Sequence, residues 1–301
     1  MKKFLIKIAL FFAIMAIVDI AIGYAGDKLR FMAKGGGTGK SQHICYDATE
    51  EVLMFGSSRM LHSFVPDVFT DTLGVSVYNC GAGGNGIILA YGFLQMIVRS
   101  NHLPSLIIYD AYKFDMYQDD NVKYIDGLRP YSKEQPEVLQ TICDIDGSER
   151  VKCLSNMYCF NSKMIRLVMD AYIPYTKTQL GYIPLYGQLS YEPSNTPETT
   201  PLIDEVKLKY VEKFIDLAKE NNIQIVFTAS PKYGRNNTNN YFASISSICA
   251  EKNVPFWNYY ATTSFSRNRS LFEDPVHMND RGARDFSAVV AHQIKTELNY
   301  K

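Results

Sequence analysis

Apolar residues fall along this chain in two kinds of run, one long and several short. The long one, Phe4 to Ala25, is interrupted only by Lys7 and Asp19 and matches the roughly 20 residues a bilayer-spanning helix requires. The short runs end on small or polar residues. They are Val52-Leu53-Met54-Phe55 before Gly56, Val75-Ser76-Val77-Tyr78 before Asn79, Leu106-Ile107-Ile108-Tyr109 before Asp110, Ile223-Gln224-Ile225-Val226-Phe227 before Ser230-Pro231, and Val254-Pro255-Phe256-Trp257. Continuous apolar runs of this length predict strands buried on both faces. Helical spacing occupies the intervals between and after them: Ile87 to Arg99, Leu202 to Glu220, Tyr241 to Lys252 and Arg281 to Leu298. Strands alternating with helices predict an α/β domain, a parallel sheet covered by helices on both faces as a three-layer αβα sandwich. The interval from Tyr112 to Pro201 is too long for an ordinary connection. It predicts a helical, Tyr-rich insertion over the C-terminal edge of the sheet, where open α/β sheets bind ligands.

The flanks of the long run orient it. Lys2 and Lys3 precede it, and positive residues stay on the cytoplasmic side, so the remainder of the chain is expected in the periplasm or outside the cell. The run reads as an inner-membrane signal anchor over residues 1–26, or as a signal peptide cut after Ala25, where Gly23-Tyr24-Ala25 offers a small-x-small site. Asp19 is costly at mid-membrane and tolerable near the outer interface. The polar, glycine-rich residues that follow predict a flexible tether over 27–49, with the folded domain over 50–301 and its insertion over 112–201. Within the tether, Gly35-Gly36-Gly37-Thr38-Gly39-Lys40-Ser41 resembles a phosphate-binding loop but lacks the glycine required at position 34 and the strand before it.

Charge and cysteine content narrow the partners. Lys plus Arg and Asp plus Glu both number 31, for a net charge of zero, so no nucleic acid is expected as a partner. The six cysteines Cys45, Cys80, Cys143, Cys153, Cys159 and Cys249 contain no C-x-x-C pair, and no His/Cys/Asp cluster has metal-ligand spacing, so neither a metal nor another cofactor is expected. In an exported domain Cys153 and Cys159 are one candidate disulfide, and free buried thiols are the alternative.

Three segments could carry chemistry. Phe55-Gly56-Ser57-Ser58-Arg59 places a serine where the first strand ends and a helix begins, with amides free to face an oxyanion; the same pair would also serve as a helix N-cap. Asp274-Pro275-Val276-His277 puts a carboxylate three residues before an imidazole, as a serine hydroxyl needs a base and the base needs an orienting anion. Asn79-Cys80-Gly81-Ala82-Gly83-Gly84-Asn85-Gly86 follows the second strand and permits close backbone approach. Gly81, Gly83 and Gly86 satisfy the dinucleotide-loop spacing, but after the second strand rather than the first and without the acidic partner. His43, His62, His102 and His292 look incidental, with His62 placed along the helix after Ser58.

Taken in order, a serine after strand one, glycines after strand two and Asp-x-x-His before the last helix, the chain resembles the SGNH/GDSL hydrolases over residues 50–110 and 200–300. The resemblance implies a flavodoxin-like αβα fold, an esterase that acts on an acylated glycan, cell-envelope ester or small ester, and a triad of Ser58, His277 and Asp274. It further implies an oxyanion hole at the Ser58 and Gly84 amides. The family's third block usually supplies an asparagine after the third strand, where this chain has Tyr109-Asp110-Ala111-Tyr112-Lys113; Asn85 or Arg59 is the expected substitute donor. Arg59, Asp110 and Tyr182 are the expected substrate-binding residues. Tyr182 belongs to an aromatic platform with Tyr172, Tyr175 and Tyr186, and a structural role for Asp110 is equally open. Divergent relatives linked to polysaccharide acetylation make two alternatives: an O-acyltransferase served by a membrane acyl-donor protein, and a catalytically silent glycan-binding protein.

Overall fold

The structure, a computed structural model, describes residues 1–99, 102–161, 163–173, 179–193, 201–234, 239–298 and 300. From the N-terminus, α1 (Lys2–Met32) and α2 (Gly36–Gln42) precede β1 (Val52–Gly56), α3 (Ser58–Ser63), α4 (Pro66–Leu73), β2 (Val77–Asn79), α5 (Ile87–Ile97) and β3 (Leu106–Asp110). A helical interval follows, with α6 (Val122–Ile125), α7 (Pro136–Ile145), α8 (Glu149–Lys152), α9 (Asn156–Cys159) and α10 (Met164–Tyr172). The chain then forms α11 (Glu205–Glu220), β4 (Gln224–Ala229), α12 (Ala243–Glu251), β5 (Phe256–Asn258), α13 (Thr263–Ser266) and α14 (Asp280–Glu297).

The five strands make one parallel sheet in the order β2-β1-β3-β4-β5. Alternation along the strands sorts their side chains into two cores. Val52, Met54, Leu106, Ile108 and Val226 join Phe64, Phe69, Phe286 and Val290 in one cluster, on the face covered by α4 and α14. Phe55 and Tyr109 point the other way, onto Phe214 of α11, which packs beside α5. The result is the expected three-layer αβα sandwich. Two strands begin two residues later than the sequence expectation. β5 starts at Phe256 because the Val254 amide is spent closing α12 on Cys249 O and Pro255 has no N–H to give. β2 is Val77–Asn79 rather than 75–78.

By its internal contacts the chain divides into two compact units, Met1–Asp47 with Ile125–Thr176, and Ala48–Tyr124 with Lys177–Lys301. The second holds the sheet. In the first, residues 27–49 are not the expected flexible tether: α1 continues to Met32, α2 follows, and a π turn spans His43–Asp47. Local composition favours coil there, and tertiary contacts override it. Arg30 is buried against Gln42, Asp27, Tyr46 and Glu134, and Asp170 accepts from the Thr38 amide at 3.0 Å. All six cysteines are buried and none is in a disulfide; the thiol of Cys159 donates to the carbonyl of Cys153 at 3.6 Å, so the candidate disulfide gives way to neighbouring thiols.

Candidate active site

β1 ends in Gly56, whose φ of +154° favours glycine. An added Cβ there would lie 2.8 Å from Asp110 O and 2.9 Å from Met60 Cβ. This tight exit turns the chain directly into α3. Ser57 caps the helix through its hydroxyl, which accepts from the Arg59 amide, and Ser58 is the first helical residue. Of the serine pair, then, Ser57 does the capping while Ser58 remains partly accessible.

The Asp-x-x-His segment forms a tight turn before α14. Asp274 Oδ1 accepts from the Val276 amide at 2.7 Å and the His277 amide at 2.9 Å, while Oδ2 accepts from His277 Nδ1 at 2.7 Å. That bond leaves Nε2 as the acceptor of neutral imidazole, and Nε2 lies 2.8 Å from Ser58 Oγ. Burial alone would raise the Asp274 pKa; the hydrogen bonds from the His277 ring and the two amides outweigh it and hold the carboxyl at about 2. The aspartate is therefore ionised at neutral pH, facing the ring nitrogen opposite the one that meets the serine.

The glycine loop borders this pair. An added Cβ on Gly81 would lie 2.5 Å from the Leu61 amide nitrogen, and one on Gly83 would lie 4.0 Å from Ser58 Cβ, so the loop packs against the start of α3. Gly84 is left-handed at φ +71°, and Asn85 donates its side-chain amide to Gly83 O. Asp115, which no sequence motif singles out, secures the loop's exit. It accepts from the Ile87 amide at 2.7 Å, the Tyr112 amide at 2.7 Å and the Tyr109 hydroxyl at 2.6 Å. Full burial pushes its pKa up to about 6 against those bonds and the Lys207 charge. Its only sequence signal was an aspartate five residues past a strand end.

Three expectations are corrected. Arg59 is fully buried and does not face a substrate. Its guanidinium donates to Ser230 Oγ and O, to Pro231 O at 2.9 Å and to Val276 O at 3.4 Å, so it fastens the serine's helix to the end of β4 and to the histidine's turn. Asp110 is likewise sealed. It accepts from the Ser230 amide at 2.7 Å, the Ser230 hydroxyl at 2.8 Å and the Thr228 hydroxyl at 3.1 Å, with Arg59 Nε at 3.9 Å. Burial raises its pKa, opposed by Arg59 and these hydrogen bonds. Of the two roles open to Asp110, the structural one fits. Tyr182 is fully buried in the core below α14, its hydroxyl donating to Asp280 at 3.0 Å, because the Gly181–Leu189 segment is latched on both sides. Ile183 N donates to Leu61 O, Asp280 N to Leu185 O and Leu189 N to Phe272 O. Tyr186 is exposed, Tyr172 belongs to the other unit, and Tyr175 lies outside the described residues. His62 is closer to the chemistry than its sequence suggested. Its Nδ1 donates to Ile183 O at 2.8 Å and its ring stands edge-on to that of His277 at 5.3 Å. Among the described residues no group of three His, Cys, Asp or Glu could hold a metal ion.

No protein-family model and no curated protein matches the chain. Solved structures do: a "putative acylhydrolase" from Bacteroides fragilis at 14% identity, covering 82% of this chain and 86% of its own, with a TM-score of 0.39. A GDSL-like lipase from Bacteroides thetaiotaomicron matches at 13% identity, covering 82% and 88%, also with a TM-score of 0.39. The parallel αβα sheet order, the serine that follows β1 and the Asp-x-x-His turn that precedes α14 stand in the order that the motif resemblance implied.

Proposed function

We propose that the protein is a membrane-anchored serine esterase that removes acyl groups from a carbohydrate or another ester of the cell envelope. The observation that carries this reading is the unbroken chain from Ser58 Oγ through His277 to Asp274, at 2.8 Å and 2.7 Å, joining residues 219 positions apart. Both spacings lie in the range expected between a nucleophile, its base and the group that orients the base. His277 Nε2 accepts the Ser58 proton as Oγ bonds to the ester carbonyl carbon. The amides of Ser58 and Gly84 donate to the oxygen that gains the charge, and Asp274 stabilises the imidazolium. His277 then returns the proton to the leaving alcohol as the C–O bond breaks. Water, deprotonated by the same imidazole, releases the acid from Ser58. A sugar hydroxyl in place of water would make the same steps an acyl transfer, and product analysis with an oligosaccharide acceptor separates the two.

α1, at 31 residues and with a mean hydropathy of 2.6 over its most apolar window, is long and apolar enough to hold the chain in a membrane. With Lys2 and Lys3 on the cytoplasmic side, the esterase would work in the periplasm or at the outer face. The deciding experiment measures p-nitrophenyl acetate turnover and fluorophosphonate labelling of the full chain. Ser58→Ala should abolish labelling and lower turnover by at least about a thousandfold, with His277→Ala lowering turnover alike. Undiminished turnover in Ser58→Ala would overturn the proposal.

A further inference from the structure

In the first unit, α1 does more than carry an apolar run. Asp19, the one acid within that run, accepts four hydrogen bonds from the start of α9: Ser155 Oγ at 2.6 Å, the Asn156 amide and side chain at 3.0 Å each, and the Met157 amide at 2.8 Å. Gly23 and Gly26 continue the contact, since a Cβ on either would lie 2.6–2.8 Å from the Asn156 side chain or the Phe160 ring. At about 1.5 Å per residue, Asp19 lies about 9 Å on the membrane side of Ala25, the end of the apolar run. The corner between α8 and α9 is therefore level with residues that a spanning α1 would place inside the bilayer. That corner is apolar and uncovered: Val151 is 71% exposed, Leu154 74% and Met157 39%. α10 adds a stripe at Ile165, Val168, Met169 and Tyr172, all exposed, while Leu167 and Asp170 turn inward. Their i, i+3, i+4, i+7 spacing is that of one helix face, here presented outward.

We propose that this corner is immersed in the outer leaflet, so that the first unit is seated in lipid beside α1 rather than standing clear of the membrane on a stalk. The occupant is lipid, acyl chains against Leu154 and Met157 and headgroups above them, because the surface is continuous with the exposed apolar side chains of α1 and shares their depth. Lys133, which donates to Leu154 O and Asn156 Oδ1, supplies a cation at the rim, as interfacial segments commonly do. The arrangement also accounts for Asp19: its carboxylate enters the membrane region already supplied with protein donors. Cleavage after Ala25 would strip those donors of their acceptor, so the anchor is retained. Since Phe160 meets Gly26 while Asp170 meets Gly36 and Thr38, α10 climbs away from the bilayer, and depth should fall from Leu154 to Ile165 to Tyr172. The inference depends on α1 spanning the membrane and is independent of the chemistry at Ser58.

The test uses the full chain in nanodiscs of phosphatidylcholine and phosphatidylglycerol. A nitroxide is attached at Leu154→Cys, Ile165→Cys, Tyr172→Cys or, as an aqueous reference, Lys209→Cys. The parent, whose six thiols are buried, is the labelling blank. Collision with dissolved oxygen should exceed collision with a water-soluble nickel complex at position 154, by less at 165, and the order should reverse at 172 and 209. Nickel collisions dominating at 154 would overturn the proposal. So would shielding of that label from both reagents, which would mean that protein covers the corner.

Discussion

Each unit buries an arginine, and the two are held in different ways. Arg59 is 0% exposed and Arg30 1%. Arg59 spends its donors mainly on backbone carbonyls from two other segments, Ser230 and Pro231 after β4 and Val276 in the Asp-x-x-His turn, and its counter-charge Asp110 is as deeply sealed as itself. Arg30 reaches side chains, with Asp27 and Glu134 still 48% and 32% exposed; both guanidiniums stack on rings, Arg30 on Phe31 and Tyr131 and Arg59 on Tyr112, each at 4.7 Å. The first arrangement fixes where loops stand relative to one another; the second closes a helix onto its neighbours. An arginine whose partners are carbonyls positions backbone, and backbone position is what a serine and a histidine from distant segments require.

Substitution should separate the two. Arg59→Met leaves Asp110 charged or protonated without a counter-ion in a sealed site, which costs about 3–5 kcal/mol. It should also lower kcat by more than tenfold, because the turn bearing His277 loses its tie to α3. Arg59→Lys should recover little, since one ammonium cannot span the same forked set. Arg30→Met should cost less, about 1–3 kcal/mol, because Asp27 and Glu134 can be rehydrated where they stand; turnover of p-nitrophenyl acetate by the folded fraction should be unchanged. Urea unfolding paired with single-substrate kinetics checks both. Equal kinetic losses in the two variants would erase the distinction.

A pair of carboxylates sharpens the contrast between sealed and open charge. Asp115, fully buried, has its pKa raised from 3.8 to about 6, so between those values the folded chain binds its proton and the unfolded chain does not. Its contribution to stability is thus greatest below about pH 4 and declines as pH rises to about 6, by up to roughly 3 kcal/mol. Asp274 runs oppositely, being held at about 2. It stabilises above pH 4, and that contribution disappears as pH falls towards 2. Its side chain is 43% exposed, so solvent screening keeps the effect below about 1 kcal/mol. Unfolding free energies of the parent and of Asp115→Asn, followed from pH 7 to 4.5, should converge or diverge according to this sign. Among the substitutions the smallest expected effect is Gly84→Ala: the site is open but left-handed, so about 1 kcal/mol of backbone strain is added.

What could be read from the sequence follows from range. β1, β3 and β4 are short apolar runs with sharp ends, and a strand buried on both faces advertises itself that way. Ser58, Asp274 and His277 were visible because strand ends and turns confine their side chains. Arg59 and Tyr182 do not face a ligand, and Asp110 takes the structural one of its two open roles, for one reason: whether a polar side chain at a sheet edge faces a ligand or a neighbouring loop depends on segments roughly a hundred or more residues away, Ser230 for Arg59 and Asp110 and Asp280 for Tyr182. The helices over 27–49 were hidden similarly. Gly35 to Gly39 look flexible until Asp170 and Glu134 are placed against their surroundings.

The long span between Ser58 and His277 has a consequence for synthesis. A chain made from its N-terminus completes β1, the glycine loop and the sheet's centre well before the segment carrying its base exists. Throughout that interval the hydroxyl has no proton acceptor at 2.8 Å, and Arg59 lacks the Val276 carbonyl. The emerging polypeptide therefore carries Ser58 without its imidazole partner until the turn before α14 is made and α14 docks onto α4.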